Sequence, residues 1–257
     1  MPTFGNFCWL EVNLEDPERG KRFYSELFGW RSEDIEGPKG QYTMMKIGDD
    51  LAAGLLKMPE NAKRLNAPPH WIAYVAVSDV AEATRKAKSL GAQVLLEPID
   101  VGSGNLSVIA DPTGAVLAFW KSVKPLGTFL WGEANAMCWA ELTTTDPVTA
   151  TRFYVEMFGW RPEVVPMGDI DYTLLHNDDR MIAGLMRQPP PMVEAKAPSF
   201  WTVYFEVADC DATAKRAKQL GGDVVMPPTD IPGAARFAIL KDPEGAAFAV
   251  IKNTPKN

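Results

Sequence analysis

Phe7-Cys8-Trp9-Leu10-Glu11 returns later in the same chain as Met137-Cys138-Trp139-Ala140-Glu141. The match extends in both directions. Arg22-Phe23-Tyr24 returns as Arg152-Phe153-Tyr154, and Phe28-Gly29-Trp30-Arg31 as Phe158-Gly159-Trp160-Arg161. Tyr42-Thr43 matches Tyr172-Thr173, Gly54-Leu55 matches Gly184-Leu185, and Trp71 matches Trp201. The offset is 130 (139 − 9, 201 − 71), and becomes 131 (242 − 111) at Asp111-Pro112 and Asp242-Pro243. One register held over most of each half is the signature of a duplication.

Each half repeats internally, more faintly. A strand-like run from Trp9 to Leu14 leads to Asp16, a helix and Gly29; a second from Trp71 to Val77 leads to Asp79, a helix and Gly91. Asp16 suits an N-cap, Pro17 the first helical turn and Gly29 the stop, and Asp146, Pro147 and Gly159 repeat that arrangement. Phe23/Leu27 and Tyr24/Phe28 are i,i+4 pairs, which give an apolar face for packing on a sheet. Asp111-Pro112-Thr113-Gly114 and Asp242-Pro243-Glu244-Gly245 read as type I turns before the strand-like runs Val116 to Trp120 and Ala247 to Ile251. Pro-rich connectors lie at Met58 to Pro69 and Gln188 to Ser199. The expected architecture is α+β: four βαβββ modules forming two half-barrel domains in tandem. Domain boundaries are expected at 1–122 and 137–257, joined by a linker at 123–136 that contains Pro125 and Gly127.

Composition sets the class. The 257 residues are 46% hydrophobic and 23% charged, an ordinary globular balance, with net charge −7. Such a chain has no global attraction for nucleic acid or an anionic membrane. No apolar run approaches the roughly 20 residues of a membrane span. The start, Met1-Pro2-Thr3-Phe4-Gly5-Asn6, has neither the basic end nor the apolar core of a secretory signal. The three cysteines, Cys8, Cys138 and Cys210, suit a reducing compartment better than a disulfide framework. The expectation is a cytoplasmic protein, monomer or homodimer, whose partner is a small molecule and neither nucleic acid nor membrane.

The order of strand, Asp-capped helix carrying Phe-Tyr and ending in Phe-Gly-Trp, then Asp-Pro-x-Gly before a closing strand, resembles the vicinal oxygen chelate superfamily. This is the glyoxalase/bleomycin-resistance/dioxygenase group, and the likeness covers nearly the whole chain. Within it, the paired Cys-Trp-x-Glu and Phe-Gly-Trp segments are similar to two-domain glyoxalase-like actinobacterial proteins. The resemblance implies metal ligands at three places in each half. One lies seven residues before the capping Asp, one on the strand opening the next quarter, and one four residues after the turn Gly. Those positions carry Trp9, Ile72 and Ala118, and Trp139, Thr202 and Ala249. None is a metal-binding side chain. The expectation is therefore no native metal and no cofactor. Only His70 and His176 are present in the whole chain, which excludes a His-rich site. Glu11 with His70 could make a thin two-ligand site completed by water or substrate, but the repeat places Phe200 where His70 stands.

Period-2 alternation puts Trp9, Glu11 and Asn13 on one face of the first strand and Cys8, Leu10, Val12 and Leu14 on the other. The apolar set packs under the helices, so the first set lines the concave side. Trp139, Glu141 and Thr143 are its counterparts. The next quarter adds Ile72, Tyr74 and Ala76, the last adds Thr202, Tyr204 and Glu206, and the closing strands add Ala118, Trp120, Ala249 and Ile251. Tyr42, Tyr172 and His70 complete the candidate ligand-binding set. Aromatic walls with a carboxylate suit a small aromatic, cationic or carbonyl compound. Two readings of Glu11 and Glu141 stand. Each is a catalytic general base in an apolar cup, or each is tied to a neighbouring Tyr hydroxyl or backbone NH. Trp9 and Trp139 either touch ligand or fill the space of a lost metal. Cys8 and Cys138 face the helix side, as inert thiols. Gly102-Ser103-Gly104 has no following helix and is no phosphate cradle. Two functions remain open: a binding protein without metal, or an enzyme (lyase, isomerase or hydroxylase) using the glutamates or an atypical metal site.

Overall fold

A computed structural model describes residues 3–37, 40–64, 66–124, 127–167 and 170–254. Met1, Pro2 and Pro125, which entered the reading of the amino terminus and linker, lie outside the described residues. The first quarter is β1 (Phe7–Leu14), α1 (Pro17–Phe28), β2 (Arg31–Gly37), β3 (Gly40–Ile47) and β4 (Asp50–Lys57), followed by the short α2 (Glu60–Arg64). The second is β5 (His70–Ala76), α3 (Val80–Ser89), β6 (Gln93–Asp100), β7 (Gly104–Ala110) and β8 (Val116–Ser122). The third is β9 (Met137–Thr144), α4 (Pro147–Phe158), β10 (Arg161–Met167), β11 (Ile170–Asn177) and β12 (Arg180–Arg187), followed by α5 (Pro190–Glu194). The fourth is β13 (Phe200–Glu206), α6 (Cys210–Gln219), β14 (Asp223–Ile231), β15 (Ala235–Lys241) and β16 (Ala247–Asn253). The strand orders are β2-β3-β4-β1-β5-β8-β7-β6 and β10-β11-β12-β9-β13-β16-β15-β14. This is the α+β fold of four βαβββ modules in two tandem eight-stranded sheets. The short α2 and α5 were not expected in the connectors; Pro59 and Pro189 precede them, and a proline just before a turn of helix fixes φ at no cost in hydrogen bonds. Pro98, Pro227 and Pro228 sit in β6 and β14, which end their sheets, where a missing N–H is tolerated.

The helix boundaries follow local chemistry. Asp16 Oδ1 accepts from Glu18 N and Arg19 N at 3.1 and 3.2 Å, and Gly29, at φ 72°, ends α1 with its N–H on Ser25 O. Asp146 and Gly159, at φ 76°, do the same for α4. Asp79 and Asp209 cap α3 and α6. Such side-chain caps satisfy N–H groups that a helix start leaves without partners.

By internal contacts the chain forms two compact units, each taking one quarter from either half. One comprises Met1–Trp9, Ile72–Leu126 and Trp139–Thr202; the other comprises Leu10–Trp71, Gly127–Cys138 and Val203–Asn257. In the first, Tyr154 of α4 is fully buried, donates to Asp111 Oδ2 at 2.8 Å and accepts from Trp201 Nε1 at 2.9 Å. Trp160 Nε1 donates to Gly5 O at 2.8 Å. In the second, Tyr24 of α1 donates to Asp242 Oδ2 at 2.9 Å and accepts from Trp71 Nε1 at 3.0 Å. Trp30 Nε1 donates to Asn135 O at 2.9 Å. Glu15 N and Asp16 N donate to the Glu244 carboxylate at 2.7 and 3.0 Å. The turn aspartates do more than make turns. Asp111 Oδ1 accepts from Thr113 N and Ala115 N, while Oδ2 takes the phenol of a helix from the other half. Burial, then the facing Asp charge, pushes each phenol well up, so Tyr24 and Tyr154 remain donors.

Face assignments follow from the packing. A Cβ on Gly20 of α1 would lie 2.2 Å from Leu14 Cδ1, so Leu14 is under the helix and Glu11 and Asn13 face away from it. All eight residues of β1 are nonetheless buried. On the helix side, Lys21 Nζ reaches both Asp34 oxygens at 2.8 and 2.7 Å, and Thr43 Oγ1 donates to Asp34 Oδ1 at 2.6 Å. Burial pulls the Lys21 ammonium down, but Asp34 and Glu18 more than reverse this and leave it raised. Asp34 is lowered, first by Lys21 and then by Thr43. The lowered carboxyl contributes stability above its ordinary value of 3.8, which is lost as pH falls through its folded pKa. The raised ammonium contributes below 10.5, and that is lost as pH rises through its folded pKa. Lys21→Met is expected to cost about 1 kcal/mol at pH 7, a figure kept small because Asp34 is partly exposed. The deficit should shrink at both pH extremes. A deficit equal at pH 7 and pH 2.5 would show that lost packing, not charge, is responsible.

Candidate functional site

The third quarter holds the best-defined group. Trp139 and Glu141 lie on one face of β9, and Glu141 is paired with Gly184 of β12. On β11, Tyr172 is paired with Met186 and Leu174 with Gly184. The Tyr172 ring leans across Gly184: a Cβ there would lie 1.7 Å from Tyr172 Oη and 2.3 Å from Cζ. Only glycine leaves room for that crossing. Tyr172 Oη donates to Glu141 Oε2 at 2.7 Å and accepts from Trp139 Nε1 at 3.1 Å. Burial, then the Glu141 charge, pushes the Tyr172 phenol far above its usual range. The phenol is thus a fixed donor, and Glu141 receives a short charge-assisted bond. Glu141 is thus bonded to a Tyr hydroxyl, as one of the two readings from sequence had it. Trp139 Nε1, by donating to that hydroxyl, helps to set the tyrosine. The part played by Gly184 escaped the sequence reading, although the repetition of Tyr42/Gly54 as Tyr172/Gly184 carried the signal.

The first quarter uses the same register: Glu11 pairs with Gly54 and Asn13 with Leu56. Tyr42 pairs with Leu56 and Met44 with Gly54. Glu11 and Asn13 are both buried. Asn13 Nδ2 donates to Glu11 Oε1 at 3.4 Å, a long contact, while Asn13 Oδ1 is buried with no hydrogen-bond partner. In the same unit, His70 Nδ1 lies 2.7 Å from Pro68 O. A carbonyl only accepts, so Nδ1 carries the proton and Nε2 is the acceptor of the neutral ring. Burial lowers the His70 pKa, against a smaller rise from the Pro68 bond, and favours that neutral form.

The other candidates are placed as follows. Trp9, Ile72, Tyr74 and Ala118 are buried in one unit, where Tyr74 pairs with Ala118 and Ala76 with Trp120. Trp120 is half-buried, its ring 2.7 Å from where a Gly104 Cβ would stand. Thr84 of α3 bonds Ser107 at 2.8 Å, which marks the helix side of β7 and turns Leu106, the partner of Trp120, away from it. Thr143 and Thr202 are buried. Tyr204 pairs with Ala249 and lies 6.3 Å from the Phe237 ring centroid. The Glu206 carboxylate accepts from Asn253 N at 3.2 Å and from the Asn253 side chain, near the strand end. Burial pushes the Cys8 and Cys138 thiols far up and Cys210 to about 11, against a nucleophilic role.

A model of the Glyoxalase/Bleomycin resistance protein/Dioxygenase superfamily matches residues 7–119 and again 137–250, and the chain belongs to that superfamily. Among its relatives is "Putative glyoxylase CFP32" of Mycobacterium tuberculosis, 36% identical over 252 residues, covering 96% of this chain and 95% of that protein. "Anthracycline biosynthesis protein DnrV" of Streptomyces peucetius is 32% identical over 258 residues, covering 95% and 92%. The Mn(II)-bound glyoxalase of Novosphingobium aromaticivorans has the same fold, with TM-score 0.64 and 16% identity over 98% of this chain and 83% of that one. The 2,3-dioxygenase LapB of Pseudomonas sp. KL28 does too, with TM-score 0.64 and 14% identity over 99% and 96%.

One solved structure of this fold thus holds Mn(II). The residues here do not fit a divalent metal. Trp139 stands at an expected ligand position and spends its only polar atom as a donor to Tyr172, and an indole N–H has no lone pair for a metal. Ile72, Ala118 and Ala249 offer no donor atom, and Thr202 offers a neutral hydroxyl. Among the described residues no three His, Cys, Asp or Glu side chains gather as a metal site. Among them, too, no helix is long and apolar enough to cross a membrane.

Proposed function

We propose that the protein binds a small planar aromatic compound against the sheet faces that carry Glu11 and Glu141, and that it does so without a divalent metal. The two domains of this reading are residues 1–122 and 137–257. One observation carries it: Trp139, at a position where the superfamily resemblance implies a metal ligand, holds Tyr172 against Glu141, which makes an aromatic wall with a fixed carboxylate. Aromatic faces give area and stacking, and the carboxylate gives orientation. The relative named for anthracycline biosynthesis supports an aromatic ligand. A second reading is an enzyme whose glutamates move a proton, and the relative named a glyoxylase favours it. His70, neutral and with Nε2 as acceptor, would then be a second base.

The test combines two measurements. Elemental analysis of the purified protein is expected to find Zn, Ni, Fe and Mn well below one equivalent. Titration with 9-anthracenemethanol is expected to quench tryptophan emission, and Trp9→Phe with Trp139→Phe to weaken binding by about tenfold, since indole contacts and one hydrogen bond are lost. One equivalent of metal that disappears in Glu11→Gln or His70→Ala would refute the metal-free reading. Equal binding by the doubly substituted protein would refute the aromatic wall.

A further inference from the structure

Along α1, Arg19, Arg22, Phe23 and Glu26 fall at i, i+3, i+4 and i+7, one stripe of the helix. With Leu220, which ends α6, and Pro243 of the second Asp-Pro-x-Gly turn, they line a groove of about 230 Å³. All six belong to one of the two compact units. The groove lies in the helix layer, whereas Glu11 and Asn13 face away from α1, so it is separate from the sheet faces considered above.

The charges around it are unevenly engaged. Glu26 is held by Arg216 Nη2 at 2.7 Å. Glu244, next to Pro243, turns its carboxylate to Glu15 N and Asp16 N at 2.7 and 3.0 Å, and Glu18 is bonded to Lys21 at 2.7 Å. Arg19 and Arg22 are exposed, and among the described residues neither guanidinium has an ion-pair or hydrogen-bond partner. The neighbouring acids are committed elsewhere, and two cations that cannot lose their protons remain.

The duplication supplies a comparison. The matching groove of the other unit is lined by Leu90, Pro112, Thr149, Arg152, Phe153 and Glu156, and measures about 40 Å³. Every lining residue keeps its type except Arg19, which is replaced by Thr149. A neighbour differs too. Lys86 stands where the first groove has Arg216, and it donates to Met157 O at 3.1 Å. Glu156 is then left to offset Arg152, four residues before it on the same stripe. The two copies have diverged into a larger, cation-rich groove and a small, balanced one.

We propose that the groove at Arg19 and Arg22 binds a small phosphate monoester. Side chains three residues apart on a helix start roughly 5–6 Å from one another, so both guanidiniums can converge on one anion. A carboxylate has two oxygens, and a single guanidinium fork occupies both. The dianion of a phosphate monoester has three terminal oxygens and can accept from both forks together. Leu220, Pro243 and the Phe23 beneath them offer apolar surface to the esterified group, which inorganic phosphate leaves unused. The volume falls below the roughly 300 Å³ at which sites for drug-sized ligands begin, which limits that group to about one ring.

Isothermal titration calorimetry at about pH 7.5, where a monoester is largely dianionic, would compare phenyl phosphate, benzoate and inorganic phosphate. Phenyl phosphate is expected to bind at least about tenfold more tightly than either of the others. Arg19→Thr, which installs the residue of the other copy, and Arg22→Gln should each weaken it by about tenfold. Both side chains are exposed, so both variants are expected to keep the thermal unfolding midpoint of the wild-type chain. Arg152→Gln, in the matching groove, should leave phenyl phosphate binding unchanged. No binding of phenyl phosphate at millimolar concentrations would overturn the proposal. So would equal binding of benzoate or inorganic phosphate, unchanged affinity in Arg19→Thr and Arg22→Gln, or a loss that appears in Arg152→Gln instead. The aromatic site on the sheet faces can fail its own test without altering any of these outcomes.

Discussion

Tyr154→Phe is expected to destabilise the protein by about 3 kcal/mol, a large share of an ordinary folding free energy. The loss has two parts. The phenol donates to a buried carboxylate, Asp111 Oδ2, at 2.8 Å, and bonds to charged groups are the stronger kind. It also accepts from Trp201 Nε1 at 2.9 Å. Phenylalanine fills nearly the same space, so no cavity offsets or adds to the change. What remains is a buried indole N–H and a carboxylate oxygen without that partner, in a place water does not reach. Tyr24→Phe should show the same cost through Asp242 and Trp71. Urea unfolding followed by tryptophan emission measures both. A cost under 1 kcal/mol for either would mean that the chain of bonds is dispensable and that stacking alone, such as Tyr154 on Trp160 at 5.4 Å, secures the helix.

How much of this could be read from the sequence differs by level. The four βαβββ modules were legible because their punctuation is local: Asp16, Pro17 and Gly29 act within one helix, and the 130-residue register (139 − 9) repeats the test independently. Strand faces were legible too, since period 2 is a property of the backbone. Partners distant in sequence were not. Tyr24 and Asp242 are 218 residues apart, and nothing in either neighbourhood announces the other. The Asp-Pro-x-Gly segment was fully explained as a turn, so its second carboxylate oxygen went unasked. The Tyr172 bond to Glu141 was foreseen in one of two readings, but naming its partner needed the ring position, and that depends on a missing Cβ at Gly184. The orphan on Asn13 is invisible in sequence for the same reason: it is defined by what its neighbours fail to supply.

Gly184→Ala should therefore be among the most disruptive single-methyl changes available to this protein. The added carbon would sit 1.7 Å from Tyr172 Oη and 2.3 Å from Cζ, distances no rotamer adjustment of a few tenths of an ångström can relieve. Tyr172 must swing away. It then gives up its 2.7 Å bond to Glu141 and its 3.1 Å bond from Trp139, and a ring that was buried moves towards water. Overpacking and a lost charge-assisted bond together predict about 3 kcal/mol of destabilisation. The cause can be isolated. In a Tyr172→Ala background there is no ring to strike, so the same Gly184→Ala change should cost less than 1 kcal/mol, giving a coupling of about 2 kcal/mol between the two sites. Binding of 9-anthracenemethanol should fall alongside in Gly184→Ala, because Trp139 loses the hydroxyl that fixes its indole. If Gly184→Ala costs the same with and without the Tyr172 ring, the glycine serves the strand backbone, and the close crossing of Tyr172 over β12 is not what requires it.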